Sequence, residues 1–300
     1  MCLTVIILTY NESCHIERAI ASARAVADRI VVIDSGSDDD TVSLAISSGA
    51  KVLYNPWKNH ATQFNWALST LPSDTVWVLR LDADEIISEK LVQQIQDTLP
   101  ELSTNIEGIY LSRRMTFLGK KIRWGGIFPV RILRLFRHGS GFCEQRWMDE
   151  HIVVSGPCAD FSGEILDDNM RALGWWIHKH NKYASYEVIE LLNLEYGFLT
   201  KELIAEQDIM RQAGFKRWIK EQVYARLPWG IRAFVYFFYR YILRLGFLDG
   251  REGAAFHVLQ GFWYRYLVDV KLYEVHQYMK LHNVDAITAI WNVLEIDLEV

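Results

Sequence analysis

The chain has 300 residues, half of them apolar, which is enough for one large core and too few for three ordinary domains. A formal net charge of −5 argues against a general nucleic-acid binder. The four cysteines, Cys2, Cys14, Cys143 and Cys158, have neither metal-ligand spacing nor a framework pattern, so they read as reduced thiols. No stretch of ~20 uncharged apolar residues reads as a transmembrane helix. The first apolar run is too short for a signal peptide and lacks a basic flank.

Apolar, β-branched-rich runs fall at 3–9, 30–34, 51–55 and 75–81. Segments of helical character fall at 13–26, 39–48, 60–70 and 88–98. Strands alternating with helices predict βαβ units around a parallel sheet. Asp38, Asp39 and Asp40 put acids at the start of the second helix, where the macrodipole favours them. Ser88 gives half of a capping signal for the fourth. Strands and turns are expected over 107–137, punctuated by Gly119, Gly125, Gly126 and Pro129. Long helices follow at 172–199, about 203–225 and about 229–247.

The ends of these strands carry the chemistry. The first ends in Thr9-Tyr10-Asn11-Glu12 and the second in Asp34-Ser35-Gly36-Ser37. The fourth ends in Asp82-Ala83-Asp84, expected to run straight into a helix. Carboxylates one residue apart at a strand end project into the crevice where open α/β sheets bind ligands. Their hard oxygens suit Mg²⁺ or Mn²⁺ shared with phosphates. A later acid pair, Asp149-Glu150, follows the turn at 139–141.

The stretches LTVIILTYNES, IVVIDSGSDDDT, NHATQFNWAL and VWVLRLDADE, in that order, resemble the family 2 inverting glycosyltransferases of GT-A fold. RILRLFRHGSGF, WMDEHIVVSG and GWWIHKHNKYASYE extend the likeness to about residue 187. It looks especially like bacterial enzymes of lipopolysaccharide-core, capsule and exopolysaccharide synthesis. The resemblance implies an α/β, Rossmann-like mixed sheet flanked by helices over 1–170, which binds the nucleotide sugar. A helical extension over 171–300 would serve the acceptor or the membrane surface. It also implies a nucleotide-sugar donor, UDP- or GDP-linked, and a divalent cation, Mg²⁺ or Mn²⁺. Thr9, Tyr10, Asn11, Glu12, Asp34, Ser35, Gln63 and Asp82 would contact the donor. Asp34 would meet the base and Asp82 the ribose, with Asp84, alongside Asp82, on the metal. Gln63 and Asn65 support the donor pocket, but Phe64 stands where many relatives have a basic residue. Glu150 aligns best with the catalytic base, and Asp149 is the alternative.

Competing readings lack their signatures. A nucleotidyltransferase should show a glycine-rich, basic phosphate loop after the first strand, where this chain has Thr-Tyr-Asn-Glu. A degenerate nucleotide-sugar-binding protein should lack the acids that are present here. No G-x-G-x-x-G supports a dinucleotide oxidoreductase.

Arg131, Arg134 and Arg137 could meet an anion or only solvate a strand edge. His178, Lys179 and His180 read as a polar helix surface. At ~100° per residue, Arg232, Tyr236, Arg240 and Arg244 share one helix face, and Ile231, Phe234, Val235, Phe238, Ile242 and Leu245 the other. That pattern, with nearby Trp218, Trp229, Tyr239, Tyr241, Trp263 and Tyr264, predicts an in-plane helix on an anionic membrane surface. The expectation is a cytoplasmic protein, peripheral at the inner face of the cell membrane, acting on a lipid-linked glycan acceptor.

Overall fold

The computed structural model describes residues 2–144, 150–198 and 230–298. Asp149 and the helix expected at 203–225 lie outside them. The chain divides into two compact units, Met1–Arg171 and Ala172–Val300.

The first unit is built on a mixed sheet of nine strands among the described residues. The strands are β1 (Leu3–Thr9), β2 (Arg29–Asp34), β3 (Lys51–Tyr54), β4 (Trp77–Asp82), β5 (Glu85–Ile87), β6 (Gly108–Phe117), β7 (Lys120–Lys121), β8 (Val130–Arg137) and β11 (Cys158–Asp167). Two short strands, β9 (Gly141–Cys143) and β10 (Ile152–Val154), form a separate hairpin. The sheet order is β3-β2-β1-β4-β8-β6-β11-β5, with β7 paired to β6. β1 to β4 are mutually parallel, whereas β8 runs antiparallel to both β4 and β6.

Alternation along β1 sends side chains into two cores. Leu3, Val5 and Ile7 pack with Ile16, Ala19, Ile20 and Ala23 of α1 (Ile16–Arg24). Ile6 packs with Ala61, Phe64 and Ala67 of α3 (His60–Ser69) on the opposite face. Both β1 and β4 are almost wholly buried, which is why they read as continuous apolar runs. Between them, α2 (Thr41–Ser47) follows β2.

The polar segment after Asp84 does not enter a helix directly. Glu85–Ile87 first forms β5, antiparallel to β11. Only then does α4 (Glu89–Thr98) begin, capped by the Ser88 side chain, which accepts from Leu91 N–H at 3.3 Å. Gly163 of β11 lies so close to α4 that a Cβ there would sit 2.4 Å from Leu91 Cα.

The second unit is helical among the described residues. It contains α5 (Leu173–Tyr196), α6 (Ile231–Phe238), α7 (Gly250–Phe256), α8 (Tyr264–His282) and α9 (Ala286–Leu294). α5 and α8 pack against each other, and Ala184 and Val188 on the first and Val268 and Val275 on the second are buried. Glu187 of α5 accepts from Tyr264 Oη at 2.8 Å and from Arg265 Nη1 at 2.5 Å. No helix among the described residues is long and apolar enough to cross a membrane.

The helix expected over 229–247 is shorter and differently oriented. α6 ends at Phe238 and continues as a π-helical turn, Tyr239–Leu243. Arg232 pairs with the buried Asp269, and Arg240 is buried. Arg232 and Arg240 therefore point inward, whereas Arg244, Ile231, Phe234, Val235, Phe238 and Ile242 are exposed. The expected apolar face is thus open, and of the three arginines of the expected polar face only Arg244 is.

Candidate active site

The C-terminal ends of β1, β2 and β4 lie side by side. Thr9 is the register partner of Asp34, and Leu8 that of Asp82. Thr9 Oγ1 donates to Asp34 Oδ1 at 3.3 Å. Asp34 accepts at Oδ2 from the N–H groups of Gly36 and Ser37, at 2.8 and 2.9 Å, and at Oδ1 from Ser37 Oγ at 2.5 Å. Its carboxylate is thus spent on its own loop, as in an Asx turn. Asn11 takes a left-handed φ of 55°, which Asn tolerates better than most residues, and its Oδ1 accepts from Asp38 N–H at 3.0 Å. Ser37 Oγ in turn accepts from Asn11 N–H at 2.8 Å. Gln63, fully buried on α3, donates to Ser35 Oγ at 3.1 Å and to the Asn55 carbonyl at 3.0 Å. The structure therefore gathers Thr9, Asn11, Asp34, Ser35 and Gln63 at one end of the crevice, with Tyr10 exposed beside them. Asn65 instead exchanges two 2.8 Å hydrogen bonds with the backbone of Cys143.

Glu12 belongs to a different group. Its Oε2 accepts from His15 Nδ1 at 2.6 Å and faces Arg171 at 3.5 Å. His15 Nε2 accepts from Met170 N–H at 2.9 Å, which fixes the proton on Nδ1. Glu12, Cys14 and His15 lie close enough to share an ion, but both imidazole nitrogens are already engaged. The same 168–171 loop reaches the strand-end acids, since Asn169 Nδ2 donates to Asp84 Oδ2 at 2.9 Å.

The centre of the site is an array of buried charge. Arg134 of β8 grips Asp82 with two hydrogen bonds, at 3.3 and 2.8 Å, and reaches Glu85 Oε1 at 3.4 Å. Glu85 Oε2 accepts from the Asp82 N–H at 2.8 Å. Arg80 of β4 lies 3.5 Å from Asp82 Oδ1 and donates to Glu150 Oε1 at 3.2 Å. Its guanidinium sits 5.4 Å from the Phe64 ring centre. The Asp82 side chain is half-buried, and Arg134 and Arg80 hold its carboxyl far below the usual range. Burial, followed by the neighbouring Asp82 charge, pushes Glu85 up to about 7. Glu85 receives the longer share of Arg134, so it is the member of the pair that takes a proton first.

This array engages one of the two expected metal ligands. Both Asp82 oxygens are occupied by guanidinium, so Asp82 is engaged as an ion-pair partner. Asp84 keeps one oxygen without a hydrogen bond among the described residues. A hard oxygen donor of this kind, on a half-buried carboxylate, fits Mg²⁺ or Mn²⁺, which take one or two carboxylates and complete their shell with phosphates and water. Glu150 has a side chain only 13 % exposed and is held by Arg80 through Oε1.

Arg80 and Glu85 were missed by sequence reasoning, which counted Arg80 within an apolar run. Arg134 neither solvates an edge nor stands open to an anion. Of its neighbours in β8, Arg131 pairs with Asp160 over the Tyr110 ring, and Arg137 donates to the Ile106 carbonyl at 2.8 Å. His180 is no polar surface residue either. Its ring stacks on Trp176 at 3.5 Å and burial pushes it down to about 4.

The mixed sheet, with acids gathered at the ends of its parallel strands, defines a GT-A type glycosyltransferase. The model of the family described as "Glycosyl transferase family 2" matches residues 4–168, and the chain belongs to that family. An uncharacterized glycosyltransferase of Rickettsia conorii is 42% identical over 94 residues, covering 31% of this chain and 33% of that protein. The glycosyltransferase SunS of Bacillus subtilis is 30% identical over 92 residues, covering 29% of this chain and 21% of its own length. This chain thus spans about a third or less of the length of these relatives. Among solved structures, glucosyl-3-phosphoglycerate synthase of Mycobacterium tuberculosis, in complex with Mn²⁺, UDP and its product, is similar over 38% of this chain and 44% of that one. The identity is 22% and the TM-score 0.31.

Proposed function

We propose that this chain is a non-processive, inverting hexosyltransferase. It moves a sugar from a UDP- or GDP-sugar to a hydroxyl of a lipid-linked surface glycan, as in lipopolysaccharide, capsule or exopolysaccharide synthesis. The observation that carries the proposal is Arg80, which touches both Asp82 on the donor side and Glu150 on the acceptor side. One guanidinium therefore spans the two halves of a displacement reaction.

In this mechanism Glu150 accepts the proton of the acceptor hydroxyl as that oxygen bonds to the anomeric carbon. The bond from that carbon to the donor's phosphate oxygen breaks, and its electron pair leaves with the nucleoside diphosphate. Attack opposite the leaving group inverts the anomeric centre. Asp82, held in place by Arg134 and Arg80, accepts from the ribose hydroxyls. Thr9, Tyr10, Asn11, Ser35 and Gln63 form the nucleotide end, with Asp34 shaping the loop around the base. Asp84 would hold a divalent cation, which when bound offsets the charge of the departing diphosphate. Asp149 neighbours the base and could serve in its place.

Residues 1–170 would bind donor and catalyse, and 171–300 would serve the acceptor at the inner face of the cell membrane. The exposed apolar face of α6 supports that placement. The test is hydrolysis and transfer across a panel of nucleotide sugars, with and without Mn²⁺. The expected result is slow, cation-dependent turnover of one UDP- or GDP-sugar. Inert behaviour toward every nucleotide sugar in the panel would overturn the proposal.

A further inference from the structure

The helical unit contains a second buried polar cluster that the donor chemistry does not use. Two π-helical turns, Tyr239–Leu243 and His257–Trp263, are joined through Arg240 and Gln260, where Arg240 Nη1 donates to Gln260 Oε1. Such turns are uncommon and concentrate at functional positions. Arg240 is 3 % exposed and His257 fully buried. Arg240 Nε and both ring nitrogens of His257 have no hydrogen-bond partner among the described residues. Around Arg240 lie the Tyr236 side chain, whose hydroxyl hydrogen-bonds it and whose ring centre is 5.3 Å away, the Phe256 ring at 5.7 Å, and the Gln260 amide. None of these carries negative charge at neutral pH.

Buried charges in proteins are normally paired, because an isolated one loses its hydration with nothing in return. Arg232, one helical stretch away, obeys this rule through Asp269. Arg240 does not: no carboxylate of the described residues pairs with it or with His257. His257 is brought to the cluster by Gly246, where a Cβ would stand 2.5 Å from His257 Nε2 and 2.9 Å from the Arg240 carbonyl. A cation and an imidazole, both buried and both short of acceptors, are complementary to an anion with several oxygens. The source of that anion is indicated by the surroundings. Phe238, Tyr239, Ile242, Leu243, Phe247 and Leu248 are all exposed on the same stretch of chain. Arg244 and Arg251 are also exposed there.

We propose that Arg240 and His257 form a binding site for the phosphate or diphosphate group of a lipid, whose hydrocarbon chain lies along this exposed apolar surface. A phosphate oxygen takes the place of Gln260 on the guanidinium, and another accepts the imidazole N–H. The choice of a lipid rests on the lipid-linked acceptor proposed above; the anion site itself does not.

The full-length protein is tested by flotation with phosphatidylcholine vesicles containing either polyprenyl phosphate or the uncharged polyprenol. Hydrogen exchange of residues 239–263 is followed with the same vesicles and with inorganic pyrophosphate alone. Wild type should favour the phosphorylated lipid by about tenfold or more, the worth of one or two hydrogen bonds to a charged group. Exchange in 239–263 should slow. Arg240→Gln should lose the preference, and Arg240→Lys should keep part of it. Protection by pyrophosphate without any vesicle preference would keep the anion site and overturn its lipid source. No protection of wild type by either probe would overturn the site, whatever the variants do. Donor hydrolysis and transfer to a water-soluble glycan are measured alongside on wild type. Transfer without need of a lipid would remove the acceptor reading while leaving phosphate binding to stand or fall by itself.

Discussion

Arg134 and Arg240 are both closed off from solvent, yet their surroundings are opposite. Arg134 meets Asp82 and Glu85 directly, with Arg80 and Glu150 completing the array around them. Arg240 meets an amide, a phenol hydroxyl and two aromatic rings, none of them charged. The first arrangement is complete in itself: its arginines fix acids whose positions the chemistry needs. The second is incomplete, and an incomplete buried charge points to something that arrives from outside. Burial alone therefore does not tell whether an arginine is scaffold or receptor; the census of nearby carboxylates does.

The largest effect expected within the complete array falls on Glu150, the proposed base. Glu150→Gln should lower kcat by ~10²–10⁴-fold, the usual worth of a positioned acid or base. Steady-state kinetics with a competent acceptor checks this. A mild Glu150→Gln beside a crippled Asp149→Asn would move the base by one residue.

Next comes the array's stability. Arg134→Met strands the buried Glu85 and removes the main counter-charge of the half-buried Asp82, at a cost of ~2–4 kcal/mol in urea unfolding. A loss near zero would mean that water already reaches these acids.

A smaller effect appears with pH. Glu85, raised to about 7 from an ordinary 4.5, binds a proton in the folded chain that the unfolded chain has lost. Its contribution is fully present below about 4.5 and is lost as pH rises through about 7, a change of at most ~3 kcal/mol. Asp82, with its carboxyl lowered, works in the other direction: its contribution is present above 3.8 and is lost as pH falls below that value. Melting curves of Glu85→Gln should be flatter than wild type between pH 5 and 7. An unchanged slope would show that Glu85 is ionised in the folded state.

The smallest effect belongs to the second unit's surface. Arg244 is exposed, so Arg244→Gln should weaken binding to anionic vesicles by about 1 kcal/mol, roughly fivefold, and less at high salt. Arg232→Gln should instead destabilise the fold, because it strands Asp269. If the two variants behave alike in flotation, the inward orientation of Arg232 is wrong.

Much of the donor crevice was legible in sequence because β1, β2 and β4 are buried runs that end abruptly in polar residues. The acid motif after β4 announces itself within three positions. The partners that organise those acids do not, because Arg134 lies 52 residues beyond Asp82 and Glu150 lies 70 beyond Arg80. A strand such as β11, with Gly163 and alternating polar residues, has too weak an apolar run to stand out, although the sheet places it between β6 and β5. The α6 wheel gave two faces and placed Arg232, Arg240 and Arg244 together on an open one, where only Arg244 is exposed. Only the distant Asp269 reveals otherwise.

The account's central claim is that the strand-end acids divide the labour, with Asp84 serving the donor and Glu150 the acceptor. Calorimetric titration of UDP and GDP in the presence of Mn²⁺ tests it most directly, using wild type, Asp84→Asn and Glu150→Gln. Asp84→Asn should lose the cation-dependent part of nucleotide binding, while Glu150→Gln binds as wild type does and fails only in transfer. Cation-dependent binding that survives in Asp84→Asn, or that disappears in Glu150→Gln, would contradict the division.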